Sequence, residues 1–285
     1  MALDKFGRNV DYLRISITNK CNMKCGYCHE EGNVSEKEVS KDEIVNAVRV
    51  AAKYGVTRVK ITGGEPLLRR DITGIIKGIA SVPGIGEVSM TTNGSLLKSH
   101  AKALKDAGLS RVNIGCDSIG ENMEKNTSVT KEAIDAAKEA GLGPIKINMV
   151  VVKGVNDHEI PEMIGFAREN GVTLQLIELI ETPGNSEYYK RHHTPLNSWE
   201  QRLSEIGSSE KRSMQSRMQY SFKGSKVEIV RADKEGFCRA CNTIRLSSDG
   251  KLKPCLRLPV FVDFNGEKSF EEAMEKRVIY NEGIN

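Results

Sequence analysis

Tyr12-Leu13-Arg14-Ile15-Ser16-Ile17-Thr18-Asn19-Lys20-Cys21-Asn22-Met23-Lys24-Cys25-Gly26-Tyr27-Cys28 is the stretch on which the reading of the chain turns. The run from Tyr12 to Thr18 reads as a buried strand. The cysteines, spaced C-x3-C-x2-C, then occupy a loop at the strand's C-terminal end. Three thiolates on one short loop can hold three corners of an iron–sulfur cube, where four cysteines are usual. The fourth iron is left open, and an open metal position is where chemistry happens, as at catalytic zinc. Part of a structural zinc site, with His29 as the fourth ligand, is the alternative.

Outward from this loop the chain alternates. Gly32 to Val39 is a polar connection. Ser40 and Glu43 make a capping box, and Ile44, Ala47, Val48, Ala51 and Ala52 follow at helical spacing up to Gly55. A strand at 58–62 runs into Gly63-Gly64-Glu65-Pro66. Helix 71–80, strand 87–91, helix 98–107 and strand 111–114 come next. Thr130 caps a helix to about 140, then strand 145–152, helix 159–170 and strand 173–180 follow. Six strand–helix units with short links predict a parallel sheet with right-handed crossovers. Six are too few for an eight-stranded barrel. The expected fold is therefore an incomplete (β/α)6 TIM-like barrel over residues 1–181, with a doubly wound sheet as second choice. Residues 182–285 form a C-terminal extension, with a helix near 199–206 and a strand near 226–230. In either architecture function belongs at the C-terminal strand ends. The cysteine loop, Gly63 to Pro66, Thr91 to Gly94, Gly115 to Ser118, and Glu178 all fall there.

A second cysteine set, Cys238, Cys241 and Cys255, lies in the extension with spacing C-x2-C-x13-C. Alone it suggests zinc or iron–sulfur equally. No Cys or His follows Cys255 to complete a zinc site, so a second cluster with an open iron gains weight. Cys116 reads as a small buried hydrophobe. The composition, 39% apolar and 28% charged over 285 residues, is that of an ordinary soluble chain. A net charge of +4 gives no argument for nucleic acid. No apolar run approaches the roughly 18 to 20 residues of a membrane span. The N-terminus has no signal-peptide core, so a cytoplasmic location is expected. There, seven cysteines point to metal or redox roles rather than disulfides.

The pairing of C-x3-C-x2-C with a strand-ending Gly-Gly-Glu-Pro resembles the radical S-adenosylmethionine (SAM) enzymes. With the second cysteine set, the stretch 11–21 and Cys28-His29-Glu30-Glu31-Gly32, nearly the whole chain is similar to the GTP 3′,8-cyclases of molybdenum cofactor biosynthesis, most of all archaeal ones. The resemblance implies two [4Fe-4S] clusters, on Cys21, Cys25 and Cys28 and on Cys238, Cys241 and Cys255. It implies SAM on the first, with Tyr27, Gly63, Gly64, Glu65, Gly115 and Ile180 as contacts. It implies GTP at the second, with Arg14, Lys60, Thr91, Lys146, Thr243 and Arg245 as contacts. Singly, Lys60 and Lys146 could as well face solvent.

The implied reaction begins when an electron cleaves SAM to methionine and a 5′-deoxyadenosyl radical. The radical takes hydrogen from ribose C3′, and the carbon radical attacks guanine C8 to give 3′,8-cyclo-7,8-dihydro-GTP. No acid–base pair is assigned. The implied partners are an electron donor such as ferredoxin or flavodoxin and the downstream cyclic pyranopterin monophosphate synthase, and a homodimer is admitted.

Three departures stand out. Thr243 occupies a place usually held by arginine, Gly115 one often held by serine, and the tail 281–285 lacks a terminal Gly-Gly. They keep open a related radical SAM enzyme acting on another nucleotide or a peptide. An iron–sulfur electron carrier would leave the Gly-Gly-Glu-Pro segment without a purpose.

Overall fold

The computed structural model describes residues 3–29, 35, 37–120, 123–182, 185–212, 217–232 and 236–279. The motif residues Glu30, Glu31 and Gly32, part of the polar connection after them, and the tail 281–285 lie outside these. The alternation runs β1 (Tyr12–Ser16), α1 (Lys41–Lys53), β2 (Arg58–Thr62), α2 (Ile72–Ala80), β3 (Glu87–Thr92), α3 (Leu97–Asp106), β4 (Arg111–Gly115), α4 (Thr127–Glu139), β5 (Lys146–Val151), α5 (Ile160–Glu169) and β6 (Thr173–Glu178). The six strands are neighbours in chain order and all parallel. The capping box at Ser40 and Glu43 is formed in both directions. Helix α4 begins before Thr130, because the Asn126 side chain accepts from the Val129 N–H and caps it four residues earlier.

The extension adds α6 (Ser186–His192), α7 (Asn197–Ile206), β7 (Ser208–Lys211), β8 (Met218–Phe222), β9 (Ser225–Val230), β10 (Thr243–Leu246), β11 (Lys251–Lys253), β12 (Val262–Asp263) and α8 (Glu267–Glu275). Its strands lengthen the sheet at both edges. β9 lies parallel to β6 and carries the hairpin β7–β8, while β10 lies parallel to β1 and carries β11 and β12. Among the described residues the result is an open twelve-stranded sheet in the order β12-β11-β10-β1-β2-β3-β4-β5-β6-β9-β8-β7.

The two faces differ chemically. Leu13, Ile15, Val59, Ile61, Met90, Val112, Ile147, Leu174, Ile229 and Ile244 belong to the apolar core with Ile44, Val48, Ile75, Ile76 and Ile134 of the helices. Their neighbours in each strand, among them Arg14, Lys60, Asn113, Lys146, Gln175 and Arg245, line a cavity on the other face. A parallel strand between two apolar layers reads as a continuous apolar run. The alternation here follows from a polar interior on one side. Among the described residues, no helix is long and apolar enough to cross a membrane.

Candidate active site

One cavity of about 400 Å³ takes in both cysteine sets. Cys21, Cys25 and Cys28 line it from the loop after β1, and Cys238, Cys241 and Cys255 from the extension. All six are free thiols. Among the described residues, no three His, Cys, Asp or Glu side chains converge closely enough to hold a single metal ion. Cys116 is fully buried in the core, and burial pushes its thiol up to about 12.

Strand register builds the cationic wall. Arg245, Arg14 and Lys60 are side-by-side partners on β10, β1 and β2. Continuing along the same row, Lys60 is opposite Ser89, and Ser89 opposite Arg111. Lys60 is only 8% exposed. Burial, then the nearby Arg111, Arg14, Arg217 and Lys146 charges, hold its pKa well below the ordinary lysine value. Lys146 also faces inward, where it is paired with Glu228 of β9 at 2.5 Å. Gln175 donates to the other Glu228 oxygen at 2.6 Å. Burial works against the Glu228 charge, but Lys146, Gln175 and Arg217 outweigh it and keep its carboxyl below the usual range. Thr91 and Thr243 line the cavity too.

At the first cysteine loop the glycines have a packing reason. A Cβ on Gly63 would stand 2.5 Å from the Thr18 carbonyl oxygen, and one on Gly64 2.3 Å from that of Lys20. Their segment pairs with the loop's entry: Gly64 N–H donates to Thr18 and Glu65 N–H to Lys20, both at 2.8 Å. Gly63, Gly64, Gly115 and Ile180 line the cavity, whereas Glu65 sits behind that lining, fully buried. Its carboxylate accepts from the N–H groups of Leu67 and Asn93 and from the Thr92 hydroxyl. It ties the loops after β2 and β3 together. Burial nevertheless raises its pKa.

Tyr27 is held at both ends. Its ring packs with Val152 and Leu179, and its hydroxyl donates to Asp117. Lys125 donates to the same hydroxyl at 2.6 Å and lies 3.6 Å from Asp117. Burial opposes the Lys125 charge, but Asp117 and the thiols of Cys25 and Cys28 hold its pKa above the ordinary value. On the second loop, burial works against a Cys241 thiolate, but Arg277, the Thr243 N–H and Arg245 bring its pKa down.

The chain matches the Radical SAM superfamily over residues 15–167 and the Molybdenum Cofactor Synthesis C family over 172–267. It is 43% identical over 268 residues to a probable GTP 3′,8-cyclase of Methanocella arvoryzae, covering 90% of this chain and 84% of that one. The chain belongs to the GTP 3′,8-cyclase family of radical SAM enzymes. A GTP 3′,8-cyclase of Listeria monocytogenes is 38% identical, over 89% of this chain and 81% of its own. Among solved structures, Streptococcus suis SuiB bound to its precursor peptide SuiA superposes with a TM-score of 0.67 at 19% identity. That match covers 96% of this chain and 64% of SuiB. anSMEcpe with bound AdoMet gives 0.63 at 16% identity, over 95% of this chain and 81% of its own. These two likenesses concern the fold.

The donor set fits the cofactors of a radical SAM cyclase. Two thiol triplets open on one cavity, a soft donor set that suits iron–sulfur clusters, and His29 lines the same cavity beside the first. Several residues of the cavity wall were not singled out from sequence: Arg8, Arg111, Asn113, Lys125, Gln175, Arg217 and Arg277 also line it. For Asn113 and Gln175 the available signal was alternation, since each sits between apolar neighbours on a strand.

Proposed function

We propose that this chain is a lyase that converts GTP to 3′,8-cyclo-7,8-dihydro-GTP, the first step of molybdenum cofactor biosynthesis. The observation that carries this reading is that both cysteine triplets and the Arg245–Arg14–Lys60 row wall the same cavity. An electron carrier needs no such row. Cys21, Cys25 and Cys28 would hold one [4Fe-4S] cluster together with SAM, and Cys238, Cys241 and Cys255 the other. Bound there, these groups supply the one-electron chemistry that removes hydrogen from ribose and an open iron for the purine.

The chain's own residues do the positioning. Arg14, Arg245 and Lys60 offer adjacent charges to a triphosphate, and each charge-assisted contact is worth about 1.5–3 kcal/mol. Tyr27, fixed by Asp117 and Lys125, presents a rigid ring beside the SAM site. Gly63, Gly64, Gly115 and Ile180 give that site its close walls. Thr91 and Thr243 offer hydroxyls, and Lys146 a charge already shared with Glu228. The enclosure keeps water away from a reactive centre and holds the ribose against its oxidant. Cys21 and Cys28 are exposed, which gives an external donor such as ferredoxin or flavodoxin a short path to the first cluster. A cytoplasmic location, a homodimer and handover to cyclic pyranopterin monophosphate synthase belong to the same reading.

The test is anaerobic reconstitution of both clusters, followed by SAM, a reductant and each nucleoside triphosphate in turn. Cyclised GTP is the expected product. Cleaved SAM with GTP intact would assign another substrate.

A further inference from the structure

The second cysteine loop has little regular structure of its own, and its backbone carbonyls must be satisfied from elsewhere. Two buried arginines do this. Arg8 donates to the Cys238 carbonyl at 2.7 Å. Arg277, just beyond α8, donates to the Cys241 carbonyl at 2.6 Å and to that of Thr243. Both guanidinium groups are held by one carboxylate: Asp4 Oδ2 accepts from Arg8 Nε at 2.7 Å and from Arg277 Nε at 2.8 Å. Asp4 Oδ1 accepts from the backbone of Phe6 and Arg8, closing the turn that presents Arg8. Arg277 is 1% exposed, and the Asp4 side chain is fully buried.

We propose that Asp4, Arg8 and Arg277 are positioning residues that hold the loop of Cys238 and Cys241 in the shape the second iron–sulfur cluster requires. The inference rests on that loop carrying a cluster. On the loop the two guanidinium groups end on the carbonyls of Cys238, Cys241 and Thr243, and Arg8 donates also to the Val278 carbonyl at 3.1 Å. The charges fit as well. Two arginines against one aspartate leave one positive charge beside the loop. A cube on three thiolates, in its common oxidised form, carries one net negative charge. A guanidinium fork can bridge two carbonyls and a carboxylate at once, which an ammonium cannot do with fixed geometry. Helix α8 anchors Arg277 in turn: Lys53 pairs with Glu267 at 2.6 Å, and the Tyr54 hydroxyl donates to Glu271 at 2.7 Å.

The test reads metal rather than turnover. In full-length chain with Cys21, Cys25 and Cys28 changed to Ala, only the second cluster forms. In chain with Cys238, Cys241 and Cys255 changed to Ala, only the first forms. Arg277→Met is placed in each, and iron release to a chelator is timed after anaerobic reconstitution. The expected result is release at least tenfold faster from the second cluster and unchanged release from the first. Asp4→Asn should show the same selectivity with a smaller effect. Unchanged release from the second cluster, or equal acceleration from both, would overturn the clamp. Should Arg277→Met fail to fold, Arg277→Lys decides by the same comparison, since it keeps the charge and gives up the fork. If the chain that keeps Arg277 and lacks the first triplet takes up no iron, the second-cluster reading itself fails, and the clamp with it.

Discussion

The side chain of Lys125 lies across Gly115. A Cβ on that glycine would stand 2.7 Å from Lys125 Cδ. The glycine therefore leaves room for the lysine stem that carries its ammonium to Tyr27 and Asp117. Gly115→Ser should push Lys125 off the Tyr27 hydroxyl and cost about 1 kcal/mol of stability. In a Lys125→Ala background the same change should be close to neutral. A double-mutant cycle by urea unfolding checks this, with an expected coupling of about 0.5–3 kcal/mol. Additive effects would mean the two positions are independent.

Glu228 places a carboxylate just behind the wall of a cavity read as built for phosphates, against Lys146. Glu228→Gln should release Lys146 to a nucleotide and tighten GTP binding several-fold, measured by calorimetry. It should also destabilise the fold, because breaking a buried pair costs about 3–5 kcal/mol. The native Glu228 pKa is depressed, so the pair's contribution is fully present above the ordinary carboxyl pKa. It is lost as pH falls through the lowered value. The variant's unfolding midpoint should consequently vary less with pH on the acid side. Weaker GTP binding would instead make Glu228 an orienting group for Lys146.

Lys60 should make GTP binding proton-linked. In the free cavity its pKa sits well below the ordinary lysine value. A triphosphate beside it would raise that value again. Binding should therefore take up protons at pH values between the depressed and ordinary pKa. Calorimetry in buffers of different ionisation heat would show the uptake, and Lys60→Met should abolish it.

Arg245→Ala removes one member of the row shared with Arg14. GTP affinity should fall about tenfold or more, the size of one charge-assisted contact. SAM cleavage uncoupled from substrate should continue at a similar rate. Unchanged GTP affinity would remove Arg245 from the triphosphate assignment.

The strand–helix alternation, the capping box and the position of the first cysteine loop were legible because each has a local cause. Hydrophobic periodicity and the Ser40–Glu43 pair are written within a few residues. The roles of Arg8 and Arg277 were not, because their partners are contributed by residues at the opposite end of the sequence. The inward turn of Lys60 and Lys146 was left open for a related reason. Alternation shows that two faces differ, while only the placement of the helices shows which face is covered. Gly63 and Gly64 entered as SAM contacts implied by the resemblance. The structure adds a packing demand against the carbonyls of Thr18 and Lys20.

The pairing of β1 with β10 has a consequence for biosynthesis. An edge strand without its neighbour is a template for adventitious association. β1 leaves the ribosome early, and β10 follows only after most of the chain has been made. Until then one flank of the nascent sheet is bare, and Arg14 lacks Arg245 beside it. A chamber with both cysteine sets on its wall is therefore complete only once the late strand β10 has paired with the early strand β1.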